Sequence, residues 1–345
     1  MDLKMIAINC CLKNIGGARM LDFVSILKAR KNIRDIAIRT PLVKSRHLTE
    51  LAGAEVYLKL ENLQRTGSFK IRGAINVIRN LNDEQKKRGV ITSSAGNHAQ
   101  GVALGAELFG IDAKIVMPEN TPGVKVENTK CYGAQVVLYG RNYDEAHEHC
   151  LKLAERERRV YIPAFEDYDI MSGQGTIALE ILEEIPDLDM ILVPVGGGGL
   201  ISGIAVAAKT VNPGIKVIGV QSTAAYTMYE CFKAGRMVDV PVPPTIAEGL
   251  SGGIDQVTFD IVKKYVDEMV LAEEEGLLYA IAWLATHERQ IAEGSGIVGV
   301  AALLQKKVQL PERGKAAVVI SGGNIDGELL RKAFRQFEEG KEKGV

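Results

Sequence analysis

From residue 89 onward the chain alternates short apolar, β-branched runs with longer stretches whose apolar residues recur every three to four positions. The first kind predicts strands at residues 89–92, 113–117, 135–139 and 160–162, and the second predicts helices at 97–109, 123–132 and 143–157 between them. A second series follows, with helices at 171–184 and 200–209 and strands at 190–195 and 216–221. Helices near 261–265, 274–287 and 295–307 then lead to a last strand at 316–320. Strictly alternating strands and helices build βαβ units and hence parallel sheets, so the class is α/β. Upstream, the period predicts a helix from Leu21 to just before Thr40-Pro41, ended by the proline. A strand at 55–61 and a helix opening at Lys70 follow, the helix with Ala74, Ile75, Val77, Ile78 and Leu81 on its apolar face. Residues 1–19 have no clean period and are set aside as an N-terminal extension.

The 345 residues suffice for two cores. A net charge of -1 with 25% charged residues excludes polyelectrolyte behaviour, which speaks against nucleic acid and anionic membrane as partners. A small-molecule ligand is expected instead. The five cysteines, Cys10, Cys11, Cys131, Cys150 and Cys231, have no metal-binding spacing and read as reduced thiols. The apolar run from Met5 to Leu12 is too short for a signal peptide, and no stretch can span a bilayer, so a cytoplasmic protein is expected.

Four places in this frame hold candidate chemistry. Lys70 lies in the first helical turn after Gly67-Ser68-Phe69, where the helix dipole disfavours a cation. It reads either as a solvated lysine or as an amine whose pKa is depressed for Schiff-base work. Gly196, Gly197, Gly198 and Gly199 join a strand to a helix and read as a phosphate cup rather than a merely flexible turn, with backbone N–H groups free to approach an anion at a helix N-terminus. The loop matches neither a Walker sequence nor the dinucleotide fingerprint. The loop Ser94-Ala95-Gly96-Asn97-His98 also joins strand to helix, and it is either a plain N-cap or a cradle for a carboxylate or phenolate oxygen, while His98 by itself also reads as a satisfied, partly buried histidine. Finally, Ser321-Gly322-Gly323-Asn324 follows the last strand and reads either as a generic tight turn or as a hydroxyl set at the kind of carboxyl strand end where open sheets bind ligands. His147 and His149, two apart on one helix, cannot chelate together, and Glu273-Glu274-Glu275 reads as a dipole-matched helix start.

Taken in this order, the four segments resemble the fold type II pyridoxal-phosphate enzymes, and within them the serine/threonine dehydratases, over about residues 20–335. The resemblance implies a tryptophan synthase beta-like fold of two open, twisted parallel-sheet domains. The large domain would be 20–80 plus 166–345, with a small domain inserted at 81–165. It implies pyridoxal 5'-phosphate bound covalently at Lys70, with Phe69 against its ring and Asn97 on the ring hydroxyl. Gly196 to Gly199 would hold the phosphate, Ser321 the pyridine nitrogen, and Gly249 and Glu293 would line the ring pocket. Ser94, Asn97 and His98 would take the substrate carboxylate. Lys70 would remove the α-proton, and the β-hydroxyl would leave with the cofactor phosphate as acid. The expected reaction is ammonia release from L-threonine and L-serine, by a homo-oligomer (dimer or tetramer) of the catabolic kind, without a regulatory domain. The related serine racemase is the alternative. It places a serine where this chain has Ala95, and metal-binding acids where this chain has Gln221 and Thr227, so no metal is expected. A non-catalytic amino-acid sensor on the same fold is a further alternative.

Overall fold

A computed structural model describes residues 20–241 and 243–342; the extension at 1–19 lies outside them. The strands are β1 (Leu42–Ser45), β2 (Glu55–Leu60), β3 (Val90–Ser93), β4 (Ala113–Met117), β5 (Gln135–Leu138), β6 (Val160–Tyr161), β7 (Met190–Pro194), β8 (Lys216–Ser222), β9 (Glu268–Ala272) and β10 (Lys315–Ile320). Six of them form one sheet in the order β1-β2-β10-β7-β8-β9, and four form a second in the order β5-β4-β3-β6. Every pairing is parallel except β1 with β2. The strands Met190–Pro194, all apolar, and Ala113–Met117, apolar but for Lys114, are buried throughout, as strands covered by helices on both faces must be.

Alternate residues of the larger sheet feed two cores. Leu192, Ile218 and Val318 pack with Trp283, Ile297 and Val300, whereas Ile191, Val217 and Val319 pack with Ile177, Ile181, Ile201 and Ile204. The helix Lys70–Asn80 lies between the sheets. Ala74, Val77 and Ile78 join the core of the small sheet with Val102, Ala103 and Ile115. On its other side Gly73 meets Gly173 of the helix Tyr168–Glu184 so closely that a Cβ on Gly173 would lie 2.6 Å from the Gly73 Cα.

Three expectations change. The first helix spans only Phe23–Ile33, opened by an Asp22/Ser25 capping box. The chain after it is held extended, because the Gln64 amide binds both the N–H and the C=O of Ile38, each at 2.8 Å, in place of helical partners. The helix expected near 261–265 begins at Gln256, since Asp255 caps it by accepting from Val257 N. Strands β1 and β9 and the helices Arg46–Ala52, Asp83–Arg88, Thr227–Ala234 and Gly327–Glu342 were not read from the period; the first three of these helices are eight residues or fewer.

Candidate active site

Five connections emerge at the carboxyl ends of β2, β3, β6, β7 and β10 and supply the candidate residues other than Gly249, which lies in the short turn Glu248–Leu250, and Glu293, which precedes the helix Gly294–Leu304. The β2 and β10 connections are joined through their backbones. Ser68 bridges Gly322, Gly323 N donates to Gly67 O at 2.9 Å, and Phe69 N donates to Ser321 O at 3.1 Å. Gly67 makes this turn with φ +71, a conformation that side chains disfavour. Lys70 and the buried Ser321 are thereby fixed to one another through the chain itself.

The Lys70 amine donates to Ala164 O at 2.9 Å and lies 5.4 Å from the centre of the Phe69 ring. Among the described residues no carboxylate pairs with it directly. Its residue keeps some exposed surface, yet protein encloses the amine. Burial lowers its pKa to about 8, against the opposing pull of Glu166 and Glu293. Glu293 sits under the β10 connection, its N–H on Gly322 O at 3.0 Å. Burial raises its carboxyl to about 7, although Asn97 Nδ2 donates to its Oε1 at 2.7 Å. The other end of the Asn97 amide, Oδ1, accepts from Asn324 Nδ2, also at 2.7 Å.

The glycine connection departs β7 straight into the helix Gly199–Val211. A Cβ on Gly196 would come within 2.8 Å of Gly249 O, and Gly198 has φ +90. Gly249 is itself held by Ser295, whose Oγ accepts from Gly249 N at 2.8 Å. Phe165 of the β6 connection lies against this loop: a Cβ on Gly197 would meet its ring at 2.5 Å. The first-turn N–H groups of the following helix have no partner within the helix and lie at its positive end.

Two candidates are turned elsewhere. The His98 ring reaches Ile162 O through Nε2 at 3.1 Å, and Nδ1 has no partner. Burial and the nearby Lys70 push its pKa down to about 3, so the ring is neutral, and the carbonyl takes its one N–H. It therefore keeps no N–H for a carboxylate; only its backbone amide, in the first turn of the helix Asn97–Leu108, remains a donor there. The Ser94 hydroxyl accepts from Gly96 N at 3.2 Å and shapes the loop. The pattern of the sequence left out Ala164, Phe165 and Glu166, because the connection 162–167 has neither period nor glycines to mark it.

The set fits pyridoxal phosphate. A poorly paired buried amine suits covalent attachment to an aldehyde, and a loop closed to any Cβ at 196, preceding a helix start, suits a phosphate. Among the described residues no three His, Cys, Asp or Glu side chains gather as a metal site would require. Both ends of the Gln221 amide are used, by Val195 O at 3.0 Å and Tyr229 N at 2.7 Å.

The family model described as pyridoxal-phosphate dependent enzyme matches residues 33–322, and the chain belongs to that family. It is 49% identical over 319 residues to an L-threonine ammonia-lyase of Thermotoga maritima, covering 92% of this chain and 79% of that protein. It is 45% identical over 314 residues to an L-threonine dehydratase catabolic TdcB of Staphylococcus aureus, covering 90% of each. The solved structure of maize serine racemase superposes with a TM-score of 0.88 at 35% identity, covering 94% of this chain and 100% of that one. Within the family, then, the sequence lies nearer the two ammonia-lyases than this racemase.

Proposed function

We propose that the protein is an L-threonine ammonia-lyase that forms 2-oxobutanoate and ammonia, with L-serine as a second substrate that gives pyruvate and ammonia. The observation that carries this reading is the Lys70 amine: it is enclosed, its pKa is lowered to about 8, far below that of an ordinary lysine, and among the described residues no carboxylate pairs with it directly. When bound, pyridoxal phosphate would supply an aldehyde for the substrate amine and an electron-withdrawing ring that acidifies the α-proton. Lys70 takes that proton as general base. Glu166 and Glu293 favour the ammonium that results. Over the cycle the α-proton and the β-hydroxyl depart as water, and the released enamine hydrolyses to the 2-keto acid and ammonia.

The other residues bind and orient. Gly196 to Gly199 offer their amides to the phosphate, Asn97 the ring hydroxyl, and Phe69 and Gly249 the faces of the ring. The Ser321 hydroxyl meets the pyridine nitrogen without giving it a formal charge. The first-turn amides of the Asn97 helix, in place of the His98 ring, take the substrate carboxylate. The division into 20–80 plus 166–345 and 81–165, a cytoplasmic location and a homo-oligomeric assembly complete the reading. Among the described residues no helix is long and apolar enough to cross a membrane.

Ala95 separates this reading from a racemase, for a methyl group stands where the opposite-face acid would have to be. L-Threonine incubated with the holoenzyme yields stoichiometric 2-oxobutanoate and ammonia, and L-serine yields pyruvate with little D-serine. D-Serine accumulating as fast as pyruvate would overturn the assignment in favour of the racemase, and ligand binding without ammonia release would favour a sensor. Discrimination between threonine and serine rests on one methyl group, worth about 1–3 kcal/mol in an apolar pocket.

A further inference from the structure

We propose that Asn324 is a positioning residue for the reaction: it fixes which end of the Asn97 amide faces Glu293 and the cofactor ring. The proposal rests on the reading above, in which Asn97 meets the ring hydroxyl.

The orientation is forced from a group that cannot turn. Asn324 Nδ2 donates to the backbone carbonyl of Thr66 at 2.7 Å and to Asn97 Oδ1 at 2.7 Å. Only the NH2 end of an amide can serve a carbonyl, so Thr66 O sets Asn324. That NH2 in turn requires oxygen from Asn97, which leaves the Asn97 NH2 facing Glu293 Oε1 at 2.7 Å. Nδ2 carries a second hydrogen, and this one remains for a phenolate-like oxygen in the site. With Asn97 reversed, an oxygen would face both the Glu293 carboxyl and the ring hydroxyl, and neither contact would hold while both partners are ionised.

The surroundings fit a positioning role better than a packing role. Asn324 is an exposed residue and contributes little to the core. Space for it is nevertheless reserved, because a Cβ on Gly67 would lie 2.4 Å from Asn324 Oδ1. Its backbone is set by the bridge between Ser68 and Gly322 and by the bond from Gly323 N to Gly67 O. One amide thus ties the Lys70 turn to the Asn97 loop and, through Asn97, to Glu293.

Asn324→Asp keeps the shape and replaces the donor by an acceptor, which invites the Asn97 amide to reverse. Asn324→Ala removes the lock without enforcing the reversal. For purified apoprotein, pyridoxal phosphate affinity is measured by titration of the visible band, and the pH dependence of that band is measured on the reconstituted enzyme. Asn324→Asp weakens the affinity about tenfold and displaces the midpoint of the pH titration, and Asn324→Ala weakens it about threefold, as expected for hydrogen bonds to charged and neutral groups. The melting temperature of either apoprotein stays near that of the parent, which separates positioning from folding. In an Asn97→Ala background the Asn324→Asp change adds nothing, since the group it positions is gone. If Asn97→Ala alters the band and both Asn324 variants leave affinity and pH midpoint unchanged, the role of Asn324 is wrong while that of Asn97 stands. If Asn97→Ala itself changes nothing, the reading of Asn97 fails and the proposal falls with it.

Discussion

Two cations on the same helical turn, Lys70 and Arg72, sit in one low-dielectric interior and meet opposite treatment. Arg72 is 1% exposed and uses its whole guanidinium. It binds Glu61 through Nε and Nη2, both at 2.8 Å, Glu180 through Nη1 and Nη2 at 2.6 and 2.9 Å, and Thr176 and Ile38 O at 3.1 Å. The fully buried Lys59 joins the same cluster, at 2.6 Å from both Glu180 and Thr40 O. Burial opposes the charge on Arg72, yet the two glutamates more than offset it and raise its pKa. The same cluster holds the buried Glu61 carboxyl below the ordinary range in spite of its burial. Lys70 has a carbonyl for a partner and carboxylates only at a distance, so burial prevails and its pKa falls. Completed pairing makes a charge part of the scaffold; withheld pairing makes an amine available for chemistry.

The contrast is tested most severely at Lys70. Lys70→Ala abolishes the visible band of the holoenzyme and lowers kcat for L-threonine by at least about 1000-fold, as loss of a covalent and base residue does. Its apoprotein melts no lower than the parent, because an unpaired buried cation is removed. A variant that kept both colour and keto-acid production would remove the basis of the comparison. Arg72→Met reverses the pattern. It leaves Glu61 and Glu180 with a buried negative charge short of its partner, at a cost of about 3–5 kcal/mol, read as a lower denaturation midpoint of the apoprotein. If Arg72→Met melts with the parent, the cluster is not the scaffold described here.

The difference between these two cations was only partly legible in the sequence. The period gave the α/β class and most helices, because long amphipathic segments and buried β-branched runs carry a strong local signal. The glycine cup, Asn97 and Ser321 were legible through strand–loop–helix junctions, where a phosphate or a helix start demands particular residues. Lys70 stood out because a cation is disfavoured at a helix start. Arg72 did not, since a helical arginine looks the same whether solvated or paired, and its partners lie 11 and 108 residues away. The partner of the His98 ring had no local signal for a related reason: its bond to Ile162 O, 64 residues downstream, depends on the fold alone. Phe165 and Glu166 lie in an irregular connection with no period to read, and the Asn324 amide acquires meaning only from what it meets across the site.

A smaller effect sharpens the contrast, and its sign follows from proton counting. The Glu293 carboxyl titrates at about 7 in the folded protein against 4.5 for an ordinary glutamate, so between these values the native state holds a proton that the unfolded state has released. Apoprotein stability from this group therefore falls as pH rises from 4.5 to about 7. Lys70 titrates at about 8 against 10.5, so between these values the unfolded chain holds the extra proton and stability rises with pH. The two groups together cut a trough between about pH 7 and 8. Glu61 in the paired cluster behaves oppositely: its contribution is present at neutral pH and is lost only in acid, as pH falls through its lowered pKa. Melting curves of the apoprotein from pH 5 to 10 should show the trough. Glu293→Gln should flatten its acid side and Lys70→Met its alkaline side, each read as a difference from the parent so that unrelated groups cancel. Superimposable curves for the parent and Glu293→Gln would mean that Glu293 titrates as an ordinary surface carboxylate. The site would then not be the under-paired counterpart of the Arg72 cluster.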